Sequence, residues 1–204
     1  RIFEKVAKKS YIPMLAKLGK CLEEYPKFRF SLSLTGDFVE QAQAWAPEVI
    51  EALQKLVATG RVEIAAETYY HSLAFFYDRE EFEAQVEKHR EMVRELFGVT
   101  PAVFRNTELA YNNDLAKWCD EHGYKGVIAE GWDKVLEGRT PNAIYRPEDC
   151  EYTKLLCKNY HLSDDIAFRF ADKTWSEWPL TADKYLSWLE KDANEGPIIN
   201  LFMD

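Results

Sequence analysis

Short apolar stretches alternate along the chain with longer stretches in which apolar residues recur at helical spacing. No hairpin signal separates them, so the pattern predicts a parallel sheet with helices packed outside it. The predicted strands cover residues 28–34, 61–65, 101–104, 126–129, 153–157 and 197–203. The chain contains no internal repeat, low-complexity segment or linker, and we therefore expect a single α/β domain.

The predicted helices fill the intervals between the strands. They cover residues 1–25, 37–60 with a new helix beginning near Pro47, 79–97, 113–122 and 181–192. Pro13 is expected to kink or restart the first helix, because proline lacks a backbone N–H and clashes with the preceding turn. Asn113 is expected to be the N-cap of its helix. Residues 133–149 are expected to be mostly loop with one helical turn.

Composition narrows the class of protein. The 204 residues have 47% hydrophobic content and a net charge of -9 without a cluster of Lys or Arg, which argues against a nucleic-acid partner. No apolar run approaches the roughly 18 residues of a membrane span. The chain begins at Arg1 without Met, so we expect residues to precede it. Its cysteines lack metal-site spacing and indicate a reducing, cytoplasmic location without disulfides: Cys21, Cys119, Cys150 and Cys157.

Polar residues recur where the predicted strands end. In a barrel of parallel strands these ends converge on one face, which is the usual catalytic face. The residues at these positions are Glu67, His71, Arg105, Glu108, Glu130, Trp132, Asp164, Asp165 and Asp204. The stretch 104–113 is central, because its apolar strand delivers Arg105 and Glu108 directly to this face.

Two acids from different strands, near aromatic residues, suggest glycoside hydrolysis, which needs one ionised and one protonated carboxyl group. Arg105 would favour the ionised form of Glu108, and repulsion between Asp164 and Asp165 would favour protonation of one of them. Two other interpretations remain open: Glu108 is a solvated residue or pairs with Arg105, and the two aspartates cap a helix after Ser163. Five aromatic residues could stack on sugars or belong to the core: Tyr69, Tyr70, Trp132, Trp175 and Trp178.

Four segments resemble successive signature regions of the family 57 glycoside hydrolases, in the α-amylase branch. They are Glu-Thr-Tyr-Tyr-His-Ser-Leu at 67–73, Phe-Arg-Asn-Thr-Glu at 104–108, Leu-Ser-Asp-Asp-Ile-Ala-Phe-Arg-Phe at 162–170, and Leu-Phe-Met-Asp at 201–204. The resemblance covers essentially the whole chain. It implies an incomplete (β/α)7 barrel and a retaining enzyme that acts on α-1,4-glucans such as starch, glycogen or maltodextrins, without NAD or a required metal.

The resemblance also implies roles for individual residues. The family's nucleophile corresponds to Glu108, and its general acid/base lies in the Ser-Asp-Asp run, where we assign it to Asp165. Asp164 would then tune its neighbour, and Glu67 and His71 would bind sugar near the cleavage point. Arg105, Trp132 and Asp204 complete the expected substrate-binding set.

Two departures from the family pattern predict a fragment. The first signature, a His-Gln-Pro on the first strand, is absent, and the last signature stops at Asp204. We therefore expect one catalytic barrel domain over residues 1–204, truncated at both ends and lacking its first strand. The remainder of the same protein would complete the barrel.

Three other functions share parts of this pattern. A 4-α-glucanotransferase would use the same carboxylates but pass the sugar to another sugar. A glycan-binding homologue would keep the fold without turnover. A metal-dependent polysaccharide deacetylase would need two histidines at helical spacing, whereas the histidines here are scattered, at His71, His89, His122 and His161.

Overall fold

The computed structural model describes residues 2–203. The chain falls into two compact units, Arg1–Thr107 and Glu108–Asp204. None of the helices within residues 2–203 is long and apolar enough to cross a membrane. All four cysteines are free thiols, and three of them are buried.

The first unit alternates helices and strands. In chain order its elements are α1 (Ile2–Val6), a π-helical turn (Ala7–Tyr11), α2 (Ile12–Glu24), β1 (Phe30–Ser33), α3 (Gly36–Trp45), α4 (Pro47–Val57), β2 (Val62–Ala65), a 3₁₀ turn (Ala74–Phe76), α5 (Arg79–Phe97) and β3 (Val103–Arg105). Its core is built from apolar faces of α2, α4 and α5 packed with the strands, and includes Leu22, Val49, Leu53, Ile64 and Val93.

The strands of the first unit are parallel. β1 and β2 pair from Phe30 opposite Val62 to Ser33 opposite Ala65. β3 joins through a parallel bridge between Ala66 and Phe104, where the Arg105 amide donates to the Ala66 carbonyl at 2.8 Å. Their carboxyl ends therefore lie side by side, and the residues that follow them can meet.

The π-helical turn explains how the first predicted helix accommodates Pro13. Proline in a regular helix would clash with the carbonyl group four residues earlier. A π turn widens the helix immediately before this point, and the amide of Ile12 donates to the carbonyl of Ala7, five residues back. Pro13 then stands in the first turn of α2, where a backbone donor is not needed.

The second unit contains a shorter sheet and more turns. Its elements are α6 (Asn113–Glu121), β4 (Gly126–Glu130), α7 (Asp133–Leu136), β5 (Ile144–Tyr145), β6 (Lys154–Lys158), α8 (Tyr160–Asp164), a second π-helical turn (Asp165–Arg169) and α9 (Ala182–Asp192). β4 pairs in parallel with β6, from Gly126 opposite Lys154 to Glu130 opposite Lys158. β5 is antiparallel to β6.

The prediction of an α/β fold with parallel strands is confirmed, and three details of it are wrong. Residues 197–203 form no strand, although Asn200 makes one parallel bridge to Lys158. The antiparallel strand β5 lies in a stretch predicted as loop. The N-cap of α6 is Asn112, whose side chain accepts from the Leu115 amide at 2.9 Å, so the predicted cap at Asn113 is one residue late.

Candidate functional site

Glu67 is the centre of a buried polar cluster in the first unit. It follows the bridge at Ala66, and its side chain is 0% exposed. Its Oε1 accepts a hydrogen bond of 2.5 Å from the hydroxyl of Ser33, at the end of β1. Its Oε2 lies 3.6 Å from Arg105 Nη1 and 3.7 Å from His71 Nδ1. The structure thus brings together three of the predicted site residues.

The contact between Arg105 and His71 links the guanidinium to the imidazole. Arg105 Nη1 lies 3.4 Å from His71 Nδ1, the same nitrogen that faces Glu67 Oε2 at 3.7 Å. The side chain of His71 is 40% exposed, while that of Arg105 is 9% exposed. The buried carboxylate and guanidinium thus orient a histidine that reaches the protein surface.

The turn between Glu67 and His71 is held by its own hydrogen bonds. The Thr68 hydroxyl accepts from the Ser72 amide at 2.8 Å, and the His71 amide donates to the Thr68 carbonyl at 3.2 Å. His71 has a φ of 55°. A non-glycine residue in this left-handed region is uncommon, and such residues cluster at functional sites.

Glu108 has the same unusual backbone. It lies three residues after β3, in a 3₁₀ turn over Thr107–Leu109, with a φ of 56°. The next residue, Leu109, is also left-handed and is buried, whereas Glu108 is exposed. The buried leucine anchors the turn, so the exposed carboxylate is presented by a backbone held away from its preferred conformation. The catalytic role of Glu108 and the alternative that it is a solvated residue both remain predictions at this point.

The aspartate pair lies on a helix. Asn159 caps α8 by accepting from the Leu162 amide at 3.1 Å. Asp164 precedes the second π-helical turn, where its side chain makes no capping hydrogen bond, so the interpretation that the aspartates cap a helix after Ser163 is wrong. Asp164 Oδ1 is 3.3 Å from Lys158 Nζ. Asp165 Oδ1 accepts from Arg169 Nη1 at 2.7 Å. Each carboxylate therefore has its own cationic partner.

Asp165 lines a pocket of about 1040 Å³ in the second unit. The lining includes two tryptophans, Trp175 and Trp188, whose ring centroids are 6.0 Å apart. Its polar residues are Asp133, Arg139, Thr140, Asn159, His161, Asp165, Glu177, Lys191, Asp192 and Glu195. Glu108 is not among the lining residues, so a shared gap between its carboxylate and that of Asp165 remains a prediction.

Two further predicted residues lie outside these groups. The side chain of Trp132 is 51% exposed, and Lys134 Nζ lies 5.6 Å from its ring centroid. Its neighbour Asp133 accepts hydrogen bonds from the Tyr160 hydroxyl at 2.7 Å and from His161 Nε2 at 3.0 Å. Asp204 lies outside the described residues.

Residues 2–203 contain no group of three or more His, Cys, Asp or Glu side chains placed to hold a metal ion. Sequence analysis did not identify the residues that contact the predicted site residues or position their helix. These residues are Ser33, Lys158, Asn159 and Arg169. The contact of Arg169 could have been predicted from its spacing, because a cation four residues after an acid on a helix lies next to that acid.

Comparison with known proteins identifies the protein family of the chain. The model of "Glycosyl hydrolase family 57" matches residues 1–204. A protein named "Putative alpha-amylase" from Methanocaldococcus jannaschii is 46% identical over all 204 residues of the chain, which cover 43% of that protein. An α-amylase from Pyrococcus furiosus is 27% identical over 146 residues, which are 72% of this chain and 22% of that protein.

A solved structure shows the same fold. The 4-α-glucanotransferase from Thermococcus litoralis matches with a TM-score of 0.76 at 20% identity, over 100% of this chain and 30% of that chain.

The chain therefore belongs to glycosyl hydrolase family 57, and the resemblance read from its sequence is confirmed. It spans less than half the length of the curated relatives it matches. The likeness to solved structures of the family implies the barrel-like fold that was expected. The absent first strand and the truncated single domain remain predictions.

Proposed function

We propose that this chain carries the catalytic carboxylates of a retaining enzyme that cleaves α-1,4-glucosidic bonds in starch, glycogen or maltodextrins. Glu108 is the nucleophile and Asp165 is the general acid/base. The observation that carries this proposal is the position of Asp165 on the wall of a pocket that also contains Trp175 and Trp188. Its volume of about 1040 Å³ is at the upper end of ligand pockets, which run from roughly 300 to 1,000 Å³.

The reaction has two steps. Glu108 attacks the anomeric carbon while Asp165 gives its proton to the glycosidic oxygen, so that the C–O bond breaks and a glycosyl ester forms. Asp165 then takes a proton from water, and the water oxygen attacks the same carbon and releases Glu108. Direct attack requires the two carboxyl groups to be about 5–5.5 Å apart.

The contacts of Asp165 define which of its oxygens can act. Arg169 donates to Oδ1 at 2.7 Å, which leaves Oδ2 to carry the proton. The side chain of Asp165 is 14% exposed and lines the pocket, and the side chain of Arg169 is 39% exposed. The other predicted site residues bind substrate. His71 and Arg105 contact the sugar, and the buried Glu67 holds these two side chains. Further contacts to the sugar come from Asp164, Trp132 and Asp204.

The test is the hydrolysis of maltoheptaose by the full-length protein and three variants. Glu108→Gln and Asp165→Asn are expected to lower kcat, the second by about 10²–10⁴-fold as for loss of a general acid, and the first by at least as much. Glu137→Gln is the matched control, since Glu137 is also an exposed glutamate in the left-handed region, with a φ of 50°. It should leave kcat unchanged.

The stereochemistry of the product gives a second readout. Proton NMR of the first product should show the α-anomer before mutarotation. Release of the β-anomer, or full activity of Glu108→Gln, would refute the assignment. In a Glu108→Ala variant, azide added to the reaction should attack the anomeric carbon from the space left by the carboxylate. The glycosidic C–O bond breaks, the leaving sugar takes the proton of Asp165, and the product is a β-glycosyl azide.

A 4-α-glucanotransferase is the second candidate, favoured by the name of the solved structure with a TM-score of 0.76. In that reaction a sugar hydroxyl replaces water in the second step, and the same carboxylates act. Products longer than maltoheptaose would identify the transferase, and an exclusive set of shorter sugars would identify the hydrolase.

A further inference from the structure

The hydroxyl group of Ser33 holds one oxygen of the buried carboxylate of Glu67. Ser33 is the last residue of β1, and its Oγ donates to Glu67 Oε1 at 2.5 Å. Glu67 is fully buried, and a buried charge is costly unless hydrogen bonds compensate for the lost water. The bond to Ser33 is charge-assisted, which makes it stronger than a bond between neutral groups.

The other oxygen of Glu67 is held less firmly. Among the described residues, Glu67 Oε2 has no hydrogen-bond partner. Arg105 Nη1 and His71 Nδ1 approach it at 3.6 Å and 3.7 Å, which are ion-pair distances longer than hydrogen bonds. The direction of the carboxylate therefore depends on the bond from Ser33.

The end of β1 that carries Ser33 is itself anchored. His89 on α5 is fully buried, and its Nε2 lies 2.8 Å from the carbonyl of Leu34, the residue after Ser33. A carbonyl only accepts, so Nε2 carries the proton. Burial lowers the pKa of His89 and keeps it neutral. Ser33 is also in register with Ala65 of β2, two residues before Glu67.

We propose that Ser33 is a positioning residue for the sugar-binding site: its hydroxyl fixes the carboxylate of Glu67, which in turn orients Arg105 and His71. Ser33 makes no contact with the reacting atoms in this scheme. The inference rests on the proposed function, because it assigns Glu67, Arg105 and His71 to substrate binding. It adds the reason why a fully buried carboxylate can serve a surface site.

The chain offers a matched control on the same strand. Ser31 of β1 donates to Glu63 Oε2 of β2 at 3.2 Å, and both residues are exposed. Ser31→Ala therefore removes a serine–glutamate hydrogen bond between the same two strands without touching Glu67. Ser33→Thr keeps a hydroxyl group at the site, whereas Ser33→Ala removes it.

The experiment measures kcat and KM on maltoheptaose for full-length wild type, Ser33→Ala, Ser33→Thr and Ser31→Ala. Ser33→Ala should lower kcat/KM by about 10- to 100-fold, as expected for a lost hydrogen bond to a charged group. Ser33→Thr should recover most of this loss, and Ser31→Ala should match wild type. Thermal unfolding of each variant confirms that it is folded at the assay temperature.

Rescue by the hydroxyl group supplies a readout that loss of stability alone would not give. The hydroxyl of Ser33 is the group that holds Glu67 Oε1, so Ser33→Ala should act mainly by raising KM, and Ser33→Thr should reverse that rise. Equal kcat/KM in Ser33→Ala and Ser31→Ala, or a loss in Ser33→Thr as large as that in Ser33→Ala, would overturn the inference. Absence of turnover in wild type would overturn the proposed function instead.

Discussion

Replacing Gly36 with alanine is expected to destabilise the first unit, because the added methyl group would overlap the ring of Tyr69. A Cβ atom at Gly36 would lie 2.3 Å from two atoms of that ring. Carbon atoms in contact are about 3.5–4.0 Å apart, so the ring would have to move by more than about 1 Å.

The ring of Tyr69 has little freedom to move. It is 6% exposed, and its hydroxyl donates to Glu40 Oε1 at 2.7 Å. Lys88 Nζ lies 3.9 Å from the ring centroid. The carbonyl of Tyr69 also accepts from the Gly36 amide at 2.8 Å, at the first turn of α3. Overpacking of a well-packed site costs about 1–3 kcal/mol, and we expect Gly36→Ala to lie in this range.

The assay is urea unfolding followed by circular dichroism, with Gly19→Ala as the control. A Cβ at Gly19, in the interior of α2, would lie 3.5 Å from Leu56 Cδ2, which is an ordinary contact. Gly19→Ala should therefore stabilise by about 0.5–1 kcal/mol, as alanine does in a helix interior. The two substitutions are chemically identical and should have opposite signs.

A double-mutant cycle with Tyr69→Ala isolates the cause. Without the ring, Gly36→Ala should add no further destabilisation, because the clash has been removed. A stability of Gly36→Ala equal to or above that of wild type would refute the reasoning. Gly36→Ala should also lower kcat/KM on maltoheptaose. Tyr69 belongs to the turn between Glu67 and His71, so a displaced ring would disturb the proposed sugar-binding residues.

Two further predictions concern pH. Hydrogen bonds from the amides of Thr153, Glu151 and Tyr152 lower the pKa of Asp120 to about 2. The ionised carboxylate of Asp120 therefore stabilises the folded state fully above about pH 3.8, and this contribution to the free energy of unfolding is lost as pH falls towards 2. In urea unfolding, Asp120→Asn should destabilise the protein more at pH 6 than at pH 2.5. Burial lowers the pKa of His89. Below about pH 6.5 the imidazole of His89 binds a proton in the unfolded chain but stays neutral in the folded protein. The free energy of unfolding should therefore fall from pH 8 to pH 5. His89→Gln, which keeps an N–H donor, should flatten this fall; an unchanged slope in the same unfolding assay would contradict the assignment.

Local signals in the sequence were sufficient to predict the helices and strands that have strong hydrophobic periodicity and recognisable end residues. Helix α5 is an example: apolar residues recur along residues 79–97, and Gly98 terminates the helix with a φ of 69°. The two-residue strand β5 could not be predicted, because it is too short for alternation to be visible and exists through its pairing with β6.

The sequence predicted that three residues of the candidate site lie together, but it did not predict the contacts that hold them. Strand ends and the family resemblance identified Glu67, His71 and Arg105, and the structure brings them together. The sequence could not show that Glu67 is fully buried or that Ser33 holds it. Those facts depend on the register of β1 against β2, and residues 34 positions apart leave no local signal.

The side chain of Asn159 has a consequence for the second unit. It caps α8, donates to Asn142 Oδ1 at 3.1 Å and donates to Asp192 Oδ2 at 2.9 Å, while its backbone amide donates to the Asn200 carbonyl at 2.9 Å. One residue thus fastens the end of β6 to three segments distant in sequence. Because these links do not run through the intervening loops, a change in the length of one loop would leave the wall lined by Asn159 and Asp165 in place.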